Sequence, residues 1–238
     1  MRRFTLKEAP DAPVQPRLVL AFYDGGVILQ KSTPGGTTTA YPVDPAHVQQ
    51  AFSRAPVCSP ILPANVLCWA RVRGGDAFVW WRPPATEDLL VEVDGVIHEW
   101  TVPLPGLVVV GADQHLGLAA VKGNTRPQPA SPVFSAPFPN TGTVSGGGYR
   151  SRGDVCLGSA RLPRSIGPDG FEAVWTTYVG STFNSHMAEG KSASHPEDVR
   201  ALLLDLHEQG GAVFPEEELV AGAGIRLEEF TASWLRSD

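Results

Sequence analysis

Cysteine is scarce in this sequence of 238 residues, and its three cysteines, Cys58, Cys68 and Cys156, lie far apart. They are too few and too scattered for a disulfide framework or a zinc cage, and they favour a reducing cytoplasm as the location. Basic residues are outnumbered, since 19 lysines and arginines stand against 25 acidic residues and leave a net charge of −6. A nucleic-acid-binding protein usually presents a basic face, so we expect no nucleic-acid partner.

Long apolar runs are missing as well. No run approaches the roughly 20 residues that a membrane-spanning helix needs. The N-terminal residues 1–16 contain three prolines and lack the features of a signal peptide. We therefore expect no membrane association. Hydrophobic residues, at 42% of the chain, are nevertheless numerous enough for a sizeable core.

The N-terminal part of the sequence predicts an extension of the main domain. Residues 1–16 show no periodicity and are predicted to form a flexible lead-in. Two apolar runs, Leu18 to Tyr23 and Val27 to Lys31, flank an Asp-Gly-Gly turn, which is typical of a β-hairpin. We predict that residues 17–238 form a single domain that carries this hairpin at its N-terminus.

The central part reads as strands and then as a long loop. Residues 35–39 predict a polar loop, and Asp44 followed by proline predicts the N-cap of a short helix. Residues 66–121 contain short apolar runs separated by glycine-containing turns, which predicts an antiparallel meander. Residues 123–167 are rich in proline, glycine, serine and threonine and predict a long loop, a type of segment that is often functional.

The C-terminal part reads as helices. Apolar residues from Phe171 to Val179 recur on one helical face, and Asp169 has capping-box spacing to Glu172. Ser194 predicts the cap of a second helix, which ends at Gly210, and Leu227 to Arg236 predicts a third. Strands followed by helices indicate the α+β class.

One cysteine has the surroundings of a nucleophile. Cys156 follows a glycine-rich stretch, so its thiol is a candidate for exposure, as nucleophilic attack requires. The side-chain amide of Asn140 can donate a hydrogen bond to a developing oxyanion. Arg152 favours the thiolate, whereas Asp154 opposes it. The alternative from these residues alone is that Cys156 is a small buried apolar residue, as free cysteines often are.

The same residues carry a resemblance to a known family. The segments Pro137-Phe138-Pro139-Asn140 and Gly153-Asp154-Val155-Cys156-Leu157-Gly158 resemble the active-site segment of ubiquitin-conjugating enzymes, in which a His-Pro-Asn tripeptide precedes the catalytic cysteine. The wider chain is similar to the prokaryotic ubiquitin-conjugating-enzyme-like family D, of the PRTRC system protein B type. The other matching segments, which extend the similarity to roughly residues 60–187, are Leu62 to Leu67, Val79 to Pro84, Pro103 to Leu107 and Ser181 to His186.

The resemblance implies a fold and a function. The fold would be a ubiquitin-conjugating-like α+β domain, with the meander followed by the active-site loop and the C-terminal helices. A ThiF-type activating enzyme would load the C-terminal glycine of a ubiquitin-like protein onto Cys156, and an amine would then attack the thioester. Asn140 would stabilise the oxyanion or order the loop, and His186 would orient the loop or act as a base. No cofactor is implied.

The resemblance also implies partners in the same operon. These are the ubiquitin-like protein, the activating enzyme and a JAB-type metallopeptidase. Plasmid maintenance and antiphage defence both fit operons of this kind, and the sequence does not choose between them.

Two departures from the family pattern keep alternatives open. Phe138 stands where the tripeptide has histidine, and Asn140 precedes Cys156 by 16 residues, which is wider than in eukaryotic relatives. A non-catalytic module that binds the same partners is therefore the alternative function. A cysteine hydrolase that uses Cys156, His186 and an acid such as Asp205 is a further alternative.

Overall fold

The computed structural model describes residues 18–24, 26–33, 37–48, 61–72, 75–112, 114–145, 152–163 and 166–235. These residues belong to two compact units, divided between Cys58 and Ser59. The predicted lead-in, Cys58 itself and the triple-glycine run at 146–148 lie outside the described residues. The arrangement as one domain with an N-terminal extension stays a prediction.

The first unit contains a three-stranded antiparallel sheet in the order β1-β2-β3. Its strands are β1 (Leu18–Tyr23), β2 (Gly26–Ser32) and β3 (Thr38–Val43). The predicted hairpin is confirmed, since β1 pairs with β2 across the Asp-Gly turn. The polar loop predicted at 35–39 was partly wrong, because β-branched threonines at 38 and 39 begin β3. The predicted cap is present: the Asp44 Oδ1 atom accepts the backbone N–H of Ala46 at 2.8 Å.

The described part of the second unit contains nine strands in two sheets. They are β4 (Val66–Val72), β5 (Gly75–Arg82), β6 (Ala85–Val93), β7 (Val96–Leu104), β8 (Gly106–Ala112), β9 (His115–Val121), β10 (Pro132–Ser135), β11 (Thr182–Phe183) and β12 (Ala221–Arg226). The larger sheet has the order β12-β10-β9-β8-β5-β4 and the smaller one β11-β6-β7. The described strand pairs are antiparallel except that of β11 with β6.

The predicted meander is confirmed as three local hairpins but not as one sheet. β5 pairs with β8 rather than with β6, and β6 and β7 belong to the smaller sheet. Prolines stand at both points where the meander changes sheet: Pro83 and Pro84 between β5 and β6, and Pro105 between β7 and β8. Proline has no N–H to donate to a neighbouring strand, so the pairing of the chain within one sheet ends at these prolines.

Strand β8 lies at the centre of the core. Leu107 and Val109 belong to a core cluster that also contains the buried residues of the smaller sheet and the first two helices. Val108 and Val110 point to the other face and belong to a second cluster, with Phe230 and Trp234. A strand buried on both faces reads as a continuous apolar run, which explains the sequence Leu-Val-Val-Val.

Three helices complete the described part of this unit: α1 (Phe171–Val179), α2 (Val199–Gln209) and α3 (Leu227–Leu235). The predicted apolar face of α1 is confirmed, but its predicted cap is wrong, because the N-cap residue is Gly170 and makes no side-chain bond. Asp198, rather than Ser194, caps α2 by accepting the Arg200 N–H at 2.9 Å.

The class is therefore mixed α and β with mostly antiparallel sheets, as predicted. The long loop predicted at 123–167 is interrupted by β10 and by isolated β-bridges near Cys156. Among the helices described above, none has the length and apolar composition needed to cross a membrane.

Candidate active site

The segment before Cys156 forms one arm of a narrow antiparallel pair. Residues 141–144 face residues 152–155, with bridges between Thr141 and Val155 and between Val144 and Arg152. Two further backbone bonds join Gly142 N–H to the Asp154 carbonyl and Gly153 N–H to the Thr143 carbonyl, at 2.8 and 3.1 Å. We call residues 141–144 the first arm and residues 152–155 the second arm. Part of the predicted loop is thus a ladder with defined register.

The second arm is also held against β9. Leu118 N–H donates to the Gly153 carbonyl and Val155 N–H to the Leu116 carbonyl, each at 2.8 Å. Gly153 has φ +71°, and a Cβ atom there would lie 2.1 Å from the Leu118 carbonyl oxygen. Only glycine fits this close approach and this backbone conformation, so Gly153 sets the register that places Cys156.

The two arms bring Asn140 and Cys156 together. The backbone N–H of Cys156 donates to the Asn140 carbonyl at 2.7 Å. The thiol of Cys156 is exposed, which excludes the buried alternative. The 16-residue spacing between Asn140 and Cys156 therefore does not separate them in space, because the two arms pair with each other.

Asn140 is held tightly. It has φ +57°, which asparagine tolerates better than most residues. Its N–H donates to the His186 carbonyl at 2.7 Å, and its Nδ2 atom donates to the Thr182 carbonyl at 3.1 Å. The buried Oδ1 atom has no hydrogen-bond partner within the described part of the chain. The Nδ2 atom of Asn140 thus has a second N–H beyond the one that donates to Thr182.

Phe138, at the position of the family histidine, is completely buried. Its ring lies 5.4 Å from Tyr178, 5.6 Å from Phe183 and 6.3 Å from Trp175, between centroids. Next to this cluster the Thr141 and Tyr178 hydroxyl groups are 2.8 Å apart, and burial raises the pKa of Tyr178 above its usual range. Phe138 therefore anchors the active-site segment in the core.

His186 is exposed and follows the short strand β11. The backbone N–H of His186 donates to Asn184 Oδ1 at 2.9 Å, and this bond shapes the turn from Asn184 to His186. His186 and Cys156 line the same space, but no hydrogen bond joins their side chains among the described contacts. The structure thus brings together all three predicted site residues, Cys156, Asn140 and His186.

Two cavities border Cys156. The larger, which we call the groove, has a volume of about 710 Å³ and small side chains along much of its wall. The smaller cavity has a volume of about 210 Å³. Cys156 and His186 line both. The groove is otherwise lined by Asn140, residues 157–160, residues 180–182 and Asn184, and the smaller cavity by His115, Leu116, Gly142, Asp154, Val155 and Met187.

A cluster from the C-terminal helix supports the second arm. The Arg152 Nε atom lies 3.2 Å from Asp154 Oδ1, and its guanidinium carbon lies 4.2 Å from the Trp234 ring centroid. The Trp234 indole donates to the Arg152 carbonyl at 3.0 Å. Burial raises the pKa of the Asp154 carboxyl above its usual value, and Arg152 opposes that shift.

Lys191 is a site residue that no sequence pattern singles out. Its side chain is completely buried, and its Nζ atom donates to the Met187 carbonyl. Burial lowers the pKa of Lys191 to about 8, against the opposing effect of Asp198 and Glu189. The bond holds the turn that follows His186. A lysine amid polar neighbours carries no sequence signal for burial.

The acid proposed for a hydrolase is engaged elsewhere. Asp205 Oδ2 lies 2.9 Å from His195 Nε2, so Asp205 pairs with a different histidine from the one at the site. Asp205 is therefore not the acid of a triad with Cys156 and His186, contrary to the hydrolase alternative. Within the described ranges, no group of three histidine, cysteine or acidic residues is arranged to hold a metal ion.

Comparison with known proteins gives one family. No curated protein and no solved structure matches the chain. The sequence model of prokaryotic E2 family D matches residues 45–221, which is well over half of the chain and includes both arms and all three site residues. The chain therefore belongs to prokaryotic E2 family D.

Proposed function

We propose that this protein is a conjugating enzyme that carries a ubiquitin-like protein as a thioester on Cys156 and transfers it to an amine. Membership of the prokaryotic E2 family indicates a role related to ubiquitin conjugation. The observation that supports the specific chemistry is the exposed Cys156 thiol at one wall of the groove. An extended C-terminal tail needs such an open channel to reach a sulfur atom.

The groove suits a tail of small residues. Its walls include Gly158, Ala160, Gly180 and Ser181, which leave space close to the backbone. In the proposed reaction the Cys156 thiolate attacks the carbonyl carbon of an activated glycine, and the leaving group departs with the electron pair of the broken bond. The negative charge that develops on the carbonyl oxygen is stabilised by donors in place before the reaction. Asn140, beside Cys156, has the second N–H of Nδ2 for that purpose.

The fold and partners follow from the same proposal. The second unit would be the ubiquitin-conjugating-like domain, and the first unit its N-terminal extension. A ThiF-type enzyme would supply the activated ubiquitin-like protein in the cytoplasm, and a JAB-type metallopeptidase from the same operon would act on the product. His186 would take a proton during transfer or orient the loop.

The alternative function is a non-catalytic module that holds the same partners. Two observations favour it: Phe138 replaces the family histidine as a core residue, and Asn140 already donates to the Thr182 carbonyl. This alternative predicts that Cys156→Ala preserves partner binding and biological activity. The proposed enzyme would lose its activity in that variant.

The test is a loading assay. The chain is mixed with the activating enzyme and ubiquitin-like protein of its own operon and ATP, and adducts are separated with and without reductant. We expect a reductant-sensitive adduct that disappears in Cys156→Ala. In Cys156→Ser any adduct should resist reductant, because an ester replaces the thioester. Cys68→Ala is the matched control, since Cys68 lies half-buried in β4. A labile adduct that survives Cys156→Ala contradicts the proposal.

A further inference from the structure

Cys156 borders two spaces with different walls. Apart from Cys156 and His186, the residues that line the groove and those that line the smaller cavity do not overlap. A transfer reaction needs two substrates at one sulfur atom: an acyl group attached to it and a nucleophile that attacks the acyl carbon. If the acyl tail occupies the groove, the smaller cavity is the space from which the nucleophile approaches.

The walls of the smaller cavity have the chemistry that a cationic amine requires. They include one acidic residue, Asp154, and two histidines, His115 and His186. His115 stands exposed at the start of β9, and its charge interacts with the Asp154 carboxyl. The carboxylate, and each imidazole in its neutral form, can accept a hydrogen bond or a proton from an ammonium group.

The Arg152 guanidinium does not block this role of Asp154. Arg152 approaches the carboxylate through Nε alone, at 3.2 and 3.3 Å from its two oxygens, and it does not line the cavity. Its Nη1 atom donates instead to the Ser233 carbonyl at 3.1 Å. A carboxylate has about four lone-pair positions. The Arg152 Nε–H and the backbone N–H of Asp154 itself act on this one, which leaves acceptor capacity for a second cation.

We infer that the smaller cavity binds the acceptor, a primary alkylammonium such as a lysine side chain, through Asp154 and His115. This inference rests on the proposed thioester function. One proton of the ammonium passes to His115 or Asp154 and then to solvent. The amine lone pair forms the new C–N bond, and the C–S bond breaks with its electron pair on sulfur. The second proton leaves the nitrogen and neutralises the thiolate, so the products are an amide, the free thiol and one proton.

A chemical loading experiment tests the inference without the natural partners. A synthetic peptide thioester ending in Gly-Gly is exchanged onto Cys156, with Cys156→Ala as the background. Release of the peptide from Cys156 is then followed by mass spectrometry, first with free lysine as the nucleophile and, separately, with hydroxylamine. Lysine is cationic at neutral pH and must lose a proton before it attacks, whereas hydroxylamine is uncharged. We compare the native chain with His115→Ala and Asp154→Asn, and with His98→Ala as an exposed histidine that lines neither cavity.

We expect lysine discharge to fall about 100-fold in Asp154→Asn and in His115→Ala, the lower end of what a positioned proton acceptor contributes. Peptide loading and hydroxylamine discharge should stay within twofold, which shows that the fold and thiol are intact. Equal lysine rates in all variants overturn the inference, as does an equal fall with both nucleophiles. Failure of Cys156 to load at all is a different result: it contradicts the proposed function, and the inference falls with it.

Discussion

Gly153→Ala is the substitution that should most directly disturb the placement of Cys156. The new Cβ atom would lie 2.1 Å from the Leu118 carbonyl oxygen. Ordinary contact needs a larger separation, so the second arm has to move away from β9 by about 1 Å or more. The left-handed backbone at φ +71° adds about 1 to 2 kcal/mol for a residue with a side chain.

The displacement also weakens hydrogen bonds between the second arm and β9. The bonds at risk join Leu118 to Gly153 and Val155 to Leu116, both 2.8 Å long, and each contributes about 1 kcal/mol. Together with the backbone cost, the free energy of unfolding should fall by about 3 kcal/mol.

Gly158→Ala is the matched control. Gly158 also has a positive φ, +56°, but no atom lies within 4 Å of the position of its Cβ. It therefore carries only the backbone cost, about 1 to 2 kcal/mol. Urea-induced unfolding followed by tryptophan fluorescence measures both variants, and the reaction rate of the Cys156 thiol with a disulfide reagent reports its position. Equal losses of stability in Gly153→Ala and Gly158→Ala would refute the reasoning, because the close approach to Leu118 would then have no energetic consequence.

Three further substitutions have expected outcomes. Phe138→Ala should lower the free energy of unfolding by about 3 to 5 kcal/mol, as loss of a buried aromatic ring does, and denaturant unfolding measures it. The pKa of Lys191 lies near 8 in the folded chain and about 10.4 when unfolded, so the unfolded chain binds more protons between these values. Stability should therefore rise with pH from about 8 to 10.4, by about 3 kcal/mol at most, relative to a Lys191→Met variant measured in parallel; identical pH profiles would show that this amine is not buried. Trp234→Phe removes the indole N–H that binds the Arg152 carbonyl and should cost about 1 kcal/mol of unfolding free energy, with little change if that bond does not form in solution.

Local features of the fold were predictable because their causes lie within a few residues. The Asp94-Gly95 turn between β6 and β7 has positive φ at both residues, 50° and 80°, as an Asp-Gly hairpin requires. The buried face of α1 follows from the spacing of its apolar residues. The N-cap of α2 is Asp198 rather than the predicted Ser194, whose backbone N–H instead donates to Glu218 Oε2 at 3.0 Å. That contact spans 24 residues and leaves no local pattern.

The candidate site was predictable in its residues but not in its geometry. Cys156 and Asn140 were identified from residue type and family resemblance, and the structure places them together. The register that joins them depends on the fit of Gly153 against β9, which involves a distant strand. The burial of Lys191 and the pairing of Asp205 with His195 are likewise tertiary effects. Neither the alternation of apolar residues nor turn composition reports such contacts.

The ladder of the two arms makes the site independent of how many residues connect them. Asn140 and Cys156 meet because their backbones are paired. A longer or shorter linking stretch therefore leaves the thiol beside the amide, as long as the hydrogen bonds between the two arms are kept. A search for this active site by a fixed count between asparagine and cysteine would therefore miss members with other linkers.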